Sequence, residues 1–210
     1  MMNKLMTIER KIIMNIIQRS SHGLTLVPME SKLLSERMIW IEGEIDQNTA
    51  NEFLKQVIIL SLENKDKPIN LIISSIGGEI GAGLQIYDIM RTSFVPINTF
   101  CVGIAYSMGA LLFTAGAKRY MVGNNSELML HEPMLGNRIS GSASSIRSVS
   151  DSLMKMRDKI NLILSEQTGK SIEEIEKATA YDHYFSASEC IDFHLADKII
   201  NFTQFMEVIS

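Results

Sequence analysis

Two largely apolar segments limit the folds open to this chain more than any other feature. They read INLIISS, residues 69–75, and INTFCVGIA, residues 97–105. A strand exposed on one face alternates apolar and polar residues, whereas a strand covered on both faces is apolar nearly throughout. These segments therefore predict strands of a parallel sheet that is covered by helices.

Helical patterns lie between the predicted strands. Residues 38–45, MIWIEGEI, predict a strand, Asp46 then caps a helix, and a further helix runs through Met90. Repeated β–α units of this kind predict an α/β fold with a parallel sheet. Because no linker, low-complexity tract or clear repeat interrupts the pattern, residues 24–210 are predicted to form a single domain.

The composition excludes several classes of function. The 210 residues include 20 basic and 24 acidic ones without a basic stripe, so nucleic acid is not an expected partner. No apolar run reaches the ~18 residues that a membrane-spanning helix needs. Charged residues interrupt the N-terminus before a secretory signal develops. Cys101 and Cys190 are predicted to be buried free thiols of a reducing compartment, and the expected location is cytoplasmic.

Two segments are predicted to be amphipathic helices beside the repeated units. Residues 1–23 space apolar residues helically, which predicts a helix that docks on its own domain or on a partner, or a removable leader. A second, long helix is predicted over residues 144–167 and ends at Gly169. Its apolar stripe steps by threes and fours through Ile146, Val149, Leu153, Met156, Ile160 and Ile163.

The segment TGKS, residues 168–171, resembles part of a phosphate-binding loop. That loop needs a glycine where this chain has Leu164, inside a predicted helix. A helix stop at Gly169 followed by a capping serine, Ser171, accounts for the segment, so no nucleotide site is predicted.

The segment GIAYSMGALL, residues 103–112, places Ser107 where a strand pattern gives way to a helical one. A helix cap is the commoner role of such a serine. A nucleophile there would have the N–H groups of the helix start aimed at an oxyanion. The segment resembles the G-x-S-x-G elbow, with Ala105 in place of the first glycine. Gly77-Gly78, directly after a buried strand, similarly allow either a tight turn or a close approach to another molecule.

A nucleophilic serine needs a general base, and the chain has four histidines: His22, His131, His183 and His194. His131 ends an apolar strand pattern, and sites in α/β sheets gather at strand ends, so it is the preferred base. Asp182 is one of several carboxylates that could orient the base. Glu132 follows His131 directly, and a strand would direct its side chain to the opposite face.

Four segments, in order and correctly spaced, resemble the ClpP family of self-compartmentalised serine peptidases. They read LIISSIGGEIGAGLQIYDIM, GIAYSMGALLFTAGAKRY, NSELMLHEP and YDHYFSASECIDFHLADKI, and the similarity runs from about Leu24 to Phe202. The resemblance implies a ClpP/crotonase-type α/β fold, with repeated β–α units forming a head and the long helix of residues 144–167 a protruding handle. It also implies that handles stack two seven-membered rings into a chamber.

The same resemblance implies the roles of individual residues. Ser107 corresponds to the nucleophile, His131 to the general base and Asp182 to its orienting carboxylate. The backbone N–H groups of Gly78 and Met108 correspond to the oxyanion hole. No metal or cofactor is expected in this chain, because in the family ATP is used by the partner, an AAA+ unfoldase of the Clp type.

The chain departs from the family's usual pattern at several positions. Ile76 stands where proline commonly precedes the glycine pair, Glu132 where glutamine follows the histidine, and Tyr181 where arginine precedes the aspartate. The segment Leu26–Met29 resembles the start of the mature family protein, and most of the axial-loop segment that engages the unfoldase is expected to be missing. These departures favour a divergent second paralogue that forms mixed rings.

The expected function is a serine endopeptidase subunit that degrades unfolded polypeptides to short peptides inside an oligomeric chamber. One alternative is a catalytically weak structural or regulatory paralogue that needs a sister ClpP ring. The other is a crotonase-like acyl-CoA enzyme, because that family shares the fold and the paired backbone donors. Crotonase-type enzymes use acidic residues in place of a Ser–His–Asp set, which places this alternative last.

Overall fold

Eight strands are present in the structure, a computed structural model that describes residues 14–20, 23–136 and 140–209. Two of them form an antiparallel hairpin, β1 (Asn15–Ser20) and β2 (Gly23–Pro28). The other six form one central sheet: β3 (Met38–Ile45), β4 (Ile69–Gly78), β5 (Ile97–Tyr106), β6 (Arg119–Leu130), β7 (His183–Ser186) and β8 (Lys198–Ile200).

The central sheet is mostly parallel, as predicted from the sequence. Its strand order is β3-β4-β5-β6-β7, with β8 also paired to β6. Strands β3 to β6 run parallel, and β7 is antiparallel to β6. The two segments predicted to be doubly covered strands are β4 and β5, at the centre of this order. Because β4, β5 and β6 are parallel, their C-terminal ends lie at the same edge of the sheet.

Eight helices cover the sheet within the described residues: α1 (Met29–Ser35), α2 (Gln47–Glu63), α3 (Ile80–Thr92), α4 (Met108–Thr114), α5 (Ala143–Thr168), α6 (Ile172–Thr179), α7 (Ala187–Asp192) and α8 (Phe202–Ile209). The main core joins one face of the sheet to α2, α3 and α4. A smaller core lies on the other face of the sheet, where it is covered by α8. It contains Ile72, Phe100, Ile200 and Phe205. The α/β prediction is confirmed.

Several predicted helix ends are confirmed by their capping bonds. The Asp46 carboxylate accepts the Thr49 N–H at 2.8 Å at the start of α2. Gly169, with φ 72°, ends α5, and Ser171 then begins α6 with a reciprocal capping box to Glu174. The segment TGKS is thus a helix stop followed by a helix start, as predicted.

The long helix α5 matches the predicted handle closely. Its 26 residues make it about 39 Å long. Its buried residues all lie in the C-terminal third, which packs on the head, whereas Ile146 near its start is 44% exposed. The predicted apolar stripe is therefore buried at its C-terminal end, half-buried at Val149, Leu153 and Met156, and exposed at Ile146.

The helix predicted over residues 1–23 is wrong for residues 15–20, which form strand β1. Cross-strand pairs such as Ile16 with Val27 decide the local structure, because β-branched residues fit a pleated ribbon better than a helix. Most of the helical spacing relied on residues 1–13, which lie outside the described residues. The segment at Leu26–Met29 is the end of β2 and the first residue of α1.

Helix α8 was not predicted from the sequence, because DKIINF, residues 197–202, is also consistent with one terminal strand. The strand ends at Ile200, and Asn201 then caps the helix. The Asn201 side chain accepts the Gln204 N–H at 2.9 Å, and the Gln204 side chain accepts the Asn201 N–H at 3.0 Å. Among the described residues, no helix is long and apolar enough to cross a membrane.

We predict that Gly116→Ala destabilises the fold. Gly116 follows α4, and a Cβ there would lie 2.1 Å from the Thr99 Oγ1. Thr99 is fully buried and donates through that atom to the Phe113 carbonyl at 2.7 Å, so it cannot rotate away without losing the bond. The free energy of unfolding, measured by urea denaturation, should fall by about 1–3 kcal/mol.

Gly81→Ala is the matched control for this substitution. Gly81 lies in α3, and a Cβ built there meets no described atom within 4 Å beyond its neighbouring residues and the backbone of its own helix. Alanine favours the helix by up to about 1 kcal/mol over glycine, so stability should hold or rise. Equal stability of the two variants would contradict the steric argument.

Candidate active site

Ser107 occupies a strained turn between strand β5 and helix α4. Its φ of 53° and ψ of −120° are rare for a residue with a side chain and cost on the order of 1–3 kcal/mol. Its N–H donates to the Met129 carbonyl at 2.8 Å, and its carbonyl accepts the Leu111 N–H at 3.1 Å. The Ser107 carbonyl thus accepts a hydrogen bond at the start of α4, whereas the Ser107 hydroxyl does not cap the helix.

The Ser107 hydroxyl is directed at His131, which directly follows strand β6. The Ser107 Oγ lies 2.8 Å from the His131 Nε2. The imidazole side chain is only 12% exposed. When Nε2 accepts the hydroxyl proton, the ring carries its own proton on Nδ1. This arrangement is the one that a serine nucleophile and a general base require.

Asp182 lies beside the other nitrogen of the same ring without a hydrogen bond to it. The Asp182 Oδ1 is 3.6 Å from the His131 Nδ1, beyond the usual limit for such a bond. Nδ1 is buried and has no hydrogen-bond partner among the residues described. The Asp182 side chain is 57% exposed, so water solvates the carboxylate. The structure therefore brings the side chains of Ser107, His131 and Asp182 together, and only the contact between Ser107 and His131 is at hydrogen-bond distance.

The Gly77-Gly78 pair packs directly against the turn at Ser107. A Cβ on Gly77 would lie 2.7 Å from the Ser107 Cβ and 2.8 Å from the Tyr106 carbonyl oxygen, and its φ is 93°. A Cβ on Gly78 would lie 2.1 Å from the Ile45 carbonyl oxygen. Buried Ser75 fixes this end of β4, because its Oγ donates to the Gly43 carbonyl and accepts the Gly77 N–H. Both glycines are needed for close backbone approach.

A cavity of about 270 Å³ opens beside the Ser107 hydroxyl. Gly78 and Met108, the two residues expected to supply oxyanion donors, both line it. Its other walls are mainly apolar, and they include Ile80, Leu111, Leu130, Met134, Leu135, Ile160 and Leu164. The sequence interpretation assigned Ile160 to the handle stripe and missed its place in this wall, because the periodicity of a helix does not identify which cavity a face borders.

The two cysteines and the other described histidines are less suited to catalysis. Burial raises the pKa of both Cys101 and Cys190 to about 12, so both remain thiols. His194 places Nδ1 3.2 Å from the Thr168 carbonyl oxygen, and His183 stacks on Phe185 at the surface. His22 lies outside the described residues.

The positions that depart from the family pattern surround the site. Tyr181, directly before Asp182, is 86% exposed, and Ile76 is also exposed. The Glu132 N–H donates to the Thr179 carbonyl at 2.7 Å, which ties the residue after His131 to the end of α6. Within the described ranges, no group of three or more His, Cys, Asp or Glu side chains could hold a metal ion.

We predict that Gly77→Ala removes the reactivity of Ser107. The added methyl group would collide with the Ser107 Cβ and the Tyr106 carbonyl, and the positive φ would strain it further. The turn must then shift, and a misplacement of about 1 Å costs roughly a hundredfold in rate. Covalent labelling by a fluorophosphonate should slow at least to that extent. Labelling at the wild-type rate would show that the turn tolerates the methyl group.

Comparison with known protein families agrees with the architecture described above. A protein-family model described as Clp protease matches residues 21–203. The matched range begins before strand β2, ends within helix α8, and includes the Gly77-Gly78 turn, Ser107, His131 and Asp182. The chain belongs to the Clp protease family.

Proposed function

We propose that this chain is a serine endopeptidase subunit in which Ser107 is the nucleophile and His131 its general base. The observation that carries the proposal is the 2.8 Å contact between the Ser107 Oγ and the His131 Nε2. It occurs at a strained turn that opens onto a cavity, and strain at such a position is typical of functional sites.

The chemistry follows from this geometry. His131 Nε2 takes the hydroxyl proton while the Ser107 Oγ attacks the peptide carbonyl carbon, forming a tetrahedral oxyanion. The C–N bond then breaks, and the imidazolium gives its proton to the departing amine, leaving an acyl-enzyme. Water, deprotonated by His131, attacks the ester carbonyl. The acid is released, and the proton returns to Ser107.

Backbone N–H groups of Gly78 and Met108 stabilise the oxyanion in this proposal. Both residues line the cavity next to the Ser107 hydroxyl. Met108 is the first residue of α4, so its N–H belongs to the positive end of the helix. One such donor contributes about 3–4 kcal/mol to transition-state stabilisation.

Asp182 completes the set by holding the imidazole in the required tautomer. Its carboxylate must move closer to the His131 Nδ1 from the present 3.6 Å to reach hydrogen-bond distance. The movement is short, and it would also satisfy the buried Nδ1. Burying a polar group without a partner is unfavourable, so there is a driving force for closure.

The proposed substrates are unfolded polypeptides that present an apolar side chain beside the scissile bond. The cavity next to Ser107 is walled by aliphatic and methionine side chains, among them Leu111, Met134 and Leu164. Such a wall favours an apolar group by the area removed from water.

We further propose that the active form is a chamber of two seven-membered rings, fed by an AAA+ unfoldase of the Clp type. The N-terminal end of α5 supports this, because Ile146, the first residue of the apolar stripe, is 44% exposed. A partner must supply the ATP-driven step, since TGKS is a helix stop and not a phosphate loop.

A second candidate function is a paralogue subunit that is inactive until a sister ring joins it. The open contact between His131 and Asp182 favours this candidate, as does the exposed Tyr181 where the family commonly has arginine. Both features lie at the segment between α6 and β7, which a stacked ring could reorder.

We predict that a fluorophosphonate labels the assembled protein at Ser107, with an Oγ–P bond formed and fluoride released. Ser107→Ala should abolish both labelling and peptide cleavage, a loss on the order of 10⁶-fold. Met108→Leu keeps the backbone N–H and nearly the side-chain volume, so it should retain most activity. Mass spectrometry of the labelled peptide and kcat/KM for an apolar fluorogenic peptide give the readouts.

The outcomes separate the candidates. Labelling of Ser107 in the assembled protein, without a sister ring, supports the endopeptidase. Labelling of Ser107 only after a sister Clp protease ring is added supports the paralogue subunit. Labelling at another residue, or at none in either state, contradicts the assignment of Ser107.

We also predict that Ile146→Lys halves the native mass. A charge in the middle of an apolar handle contact would be buried without a partner, so stacking of the rings should fail while each ring persists. Native mass spectrometry distinguishes fourteen subunits from seven.

Met154→Lys is the matched control for the handle. Met154 is 46% exposed and lies on α5 away from the apolar stripe, so it should leave the native mass unchanged. If both substitutions halved the mass, a general effect of charge on α5 would explain the result and the stripe would not be the contact.

A further inference from the structure

Three residues lie in one row across the strands that lead into the site. Met129 of β6 is paired in register with Tyr106 of β5 and with Tyr184 of β7. The rings of the two tyrosines meet edge to face, with centroids 5.6 Å apart. The Tyr106 hydroxyl also donates to the Glu127 Oε1 at 2.5 Å. We call Tyr106, Glu127 and Tyr184 the tyrosine cluster.

Along the chain, the tyrosine cluster lies close to two residues of the proposed catalytic set, Ser107 and Asp182. Tyr106 directly precedes Ser107, and Tyr184 follows Asp182 by two positions. Met129, which lies between the two rings in register, accepts the Ser107 N–H through its carbonyl at 2.8 Å. A displacement of β5 against β6 at this row would therefore move the Ser107 backbone directly.

The turn at Ser107 needs support on both sides, because its backbone is strained. Strained residues persist only where their surroundings over-determine them. On the C-terminal side, α4 supplies that support through the bond from the Leu111 N–H to the Ser107 carbonyl. On the N-terminal side, the last strand residue is Tyr106, and its hydroxyl bond to Glu127 ties β5 to β6.

The hydrogen bond between Tyr106 and Glu127 is a strong one by its chemistry. A phenol donating to a carboxylate gives a short, charge-assisted bond. The bond to Glu127 raises the pKa of Tyr106 to about 12, with burial as a further cause. The phenol therefore stays protonated, and remains a donor, at any pH at which a peptidase of this type would work.

We propose that Tyr106 and Glu127 are positioning residues, whose hydrogen bond holds the end of β5 so that the Ser107 hydroxyl stays within reach of His131. The proposal rests on the proposed function, because it assigns them to the acyl-transfer step. Neither residue is assigned contact with the substrate. Loss of their bond is thus expected to lower kcat and the rate of covalent labelling while leaving KM unchanged.

Tyr106→Phe tests the bond alone, because it removes one hydroxyl and keeps the ring that contacts Tyr184. The rate constant for fluorophosphonate labelling of the assembled protein should fall about ten- to a hundredfold, as expected for a sub-ångström to 1 Å displacement. Glu127→Ala removes the acceptor and should give the same loss. Since both variants break one bond, the double variant should lose no more than either single one.

Two further variants separate positioning from general stability. Glu127→Gln keeps an acceptor oxygen and should restore most of the rate that Glu127→Ala loses. Tyr120→Phe also removes one phenol hydroxyl on the sheet, where the ring stacks on Phe100 at 5.0 Å, away from the site. It should leave labelling unchanged. Native mass and thermal midpoints confirm that each compared variant is assembled.

The outcomes distinguish the positioning role of Tyr106 and Glu127 from the proposed peptidase function. Absence of Ser107 labelling in the wild-type protein, alone or with a sister ring, overturns the proposed function and this inference with it. Normal wild-type labelling combined with an unimpaired Tyr106→Phe or Glu127→Ala overturns the inference alone. Equal losses in Glu127→Gln and Glu127→Ala would also overturn it, because the acceptor would then not matter.

Discussion

The whole site depends on how closely strand β4 approaches the turn at Ser107. Gly77 leaves no room for even a methyl group between the two backbones. The same contact prevents the turn from relaxing into an ordinary helix start, in which the serine hydroxyl would cap α4. Buried Ser75 holds β4 in place by bonding to both Gly43 and Gly77. A chain of contacts from the edge strand β3 therefore keeps Ser107 in its strained conformation.

Much of the fold could be predicted because the relevant signals are local. Doubly covered strands are apolar along their length, which identified β4 and β5. Capping side chains bond within three residues, which located the starts of α2 and α6. The hairpin at residues 15–28 was not predictable in this way, because pairing between β1 and β2 overrides a helical spacing that extends into it.

The candidate site was predictable as a set of residues and not as a geometry. The resemblance singled out His131 from four histidines and Asp182 from many carboxylates. It could not indicate that one contact is formed at 2.8 Å while the other stands at 3.6 Å, because that difference depends on how far an exposed side chain reaches. The bond between Tyr106 and Glu127 was equally hidden, since its two residues are far apart in sequence and join only through the pairing of β5 with β6.

The path of the chain through the sheet also orders the assembly of the site in time. Ser107 and His131 follow consecutive strands, so they can meet as soon as β6 has paired with β5. The chain then leaves the sheet at Leu130, builds α5 and α6, and returns only at His183, where β7 pairs with the end of β6. Such non-local pairing is slow to form. A chain interrupted during synthesis before residue 182 would hold Ser107 and His131 without Asp182, so the third member of the candidate site joins the other two only when the last third of the chain has folded.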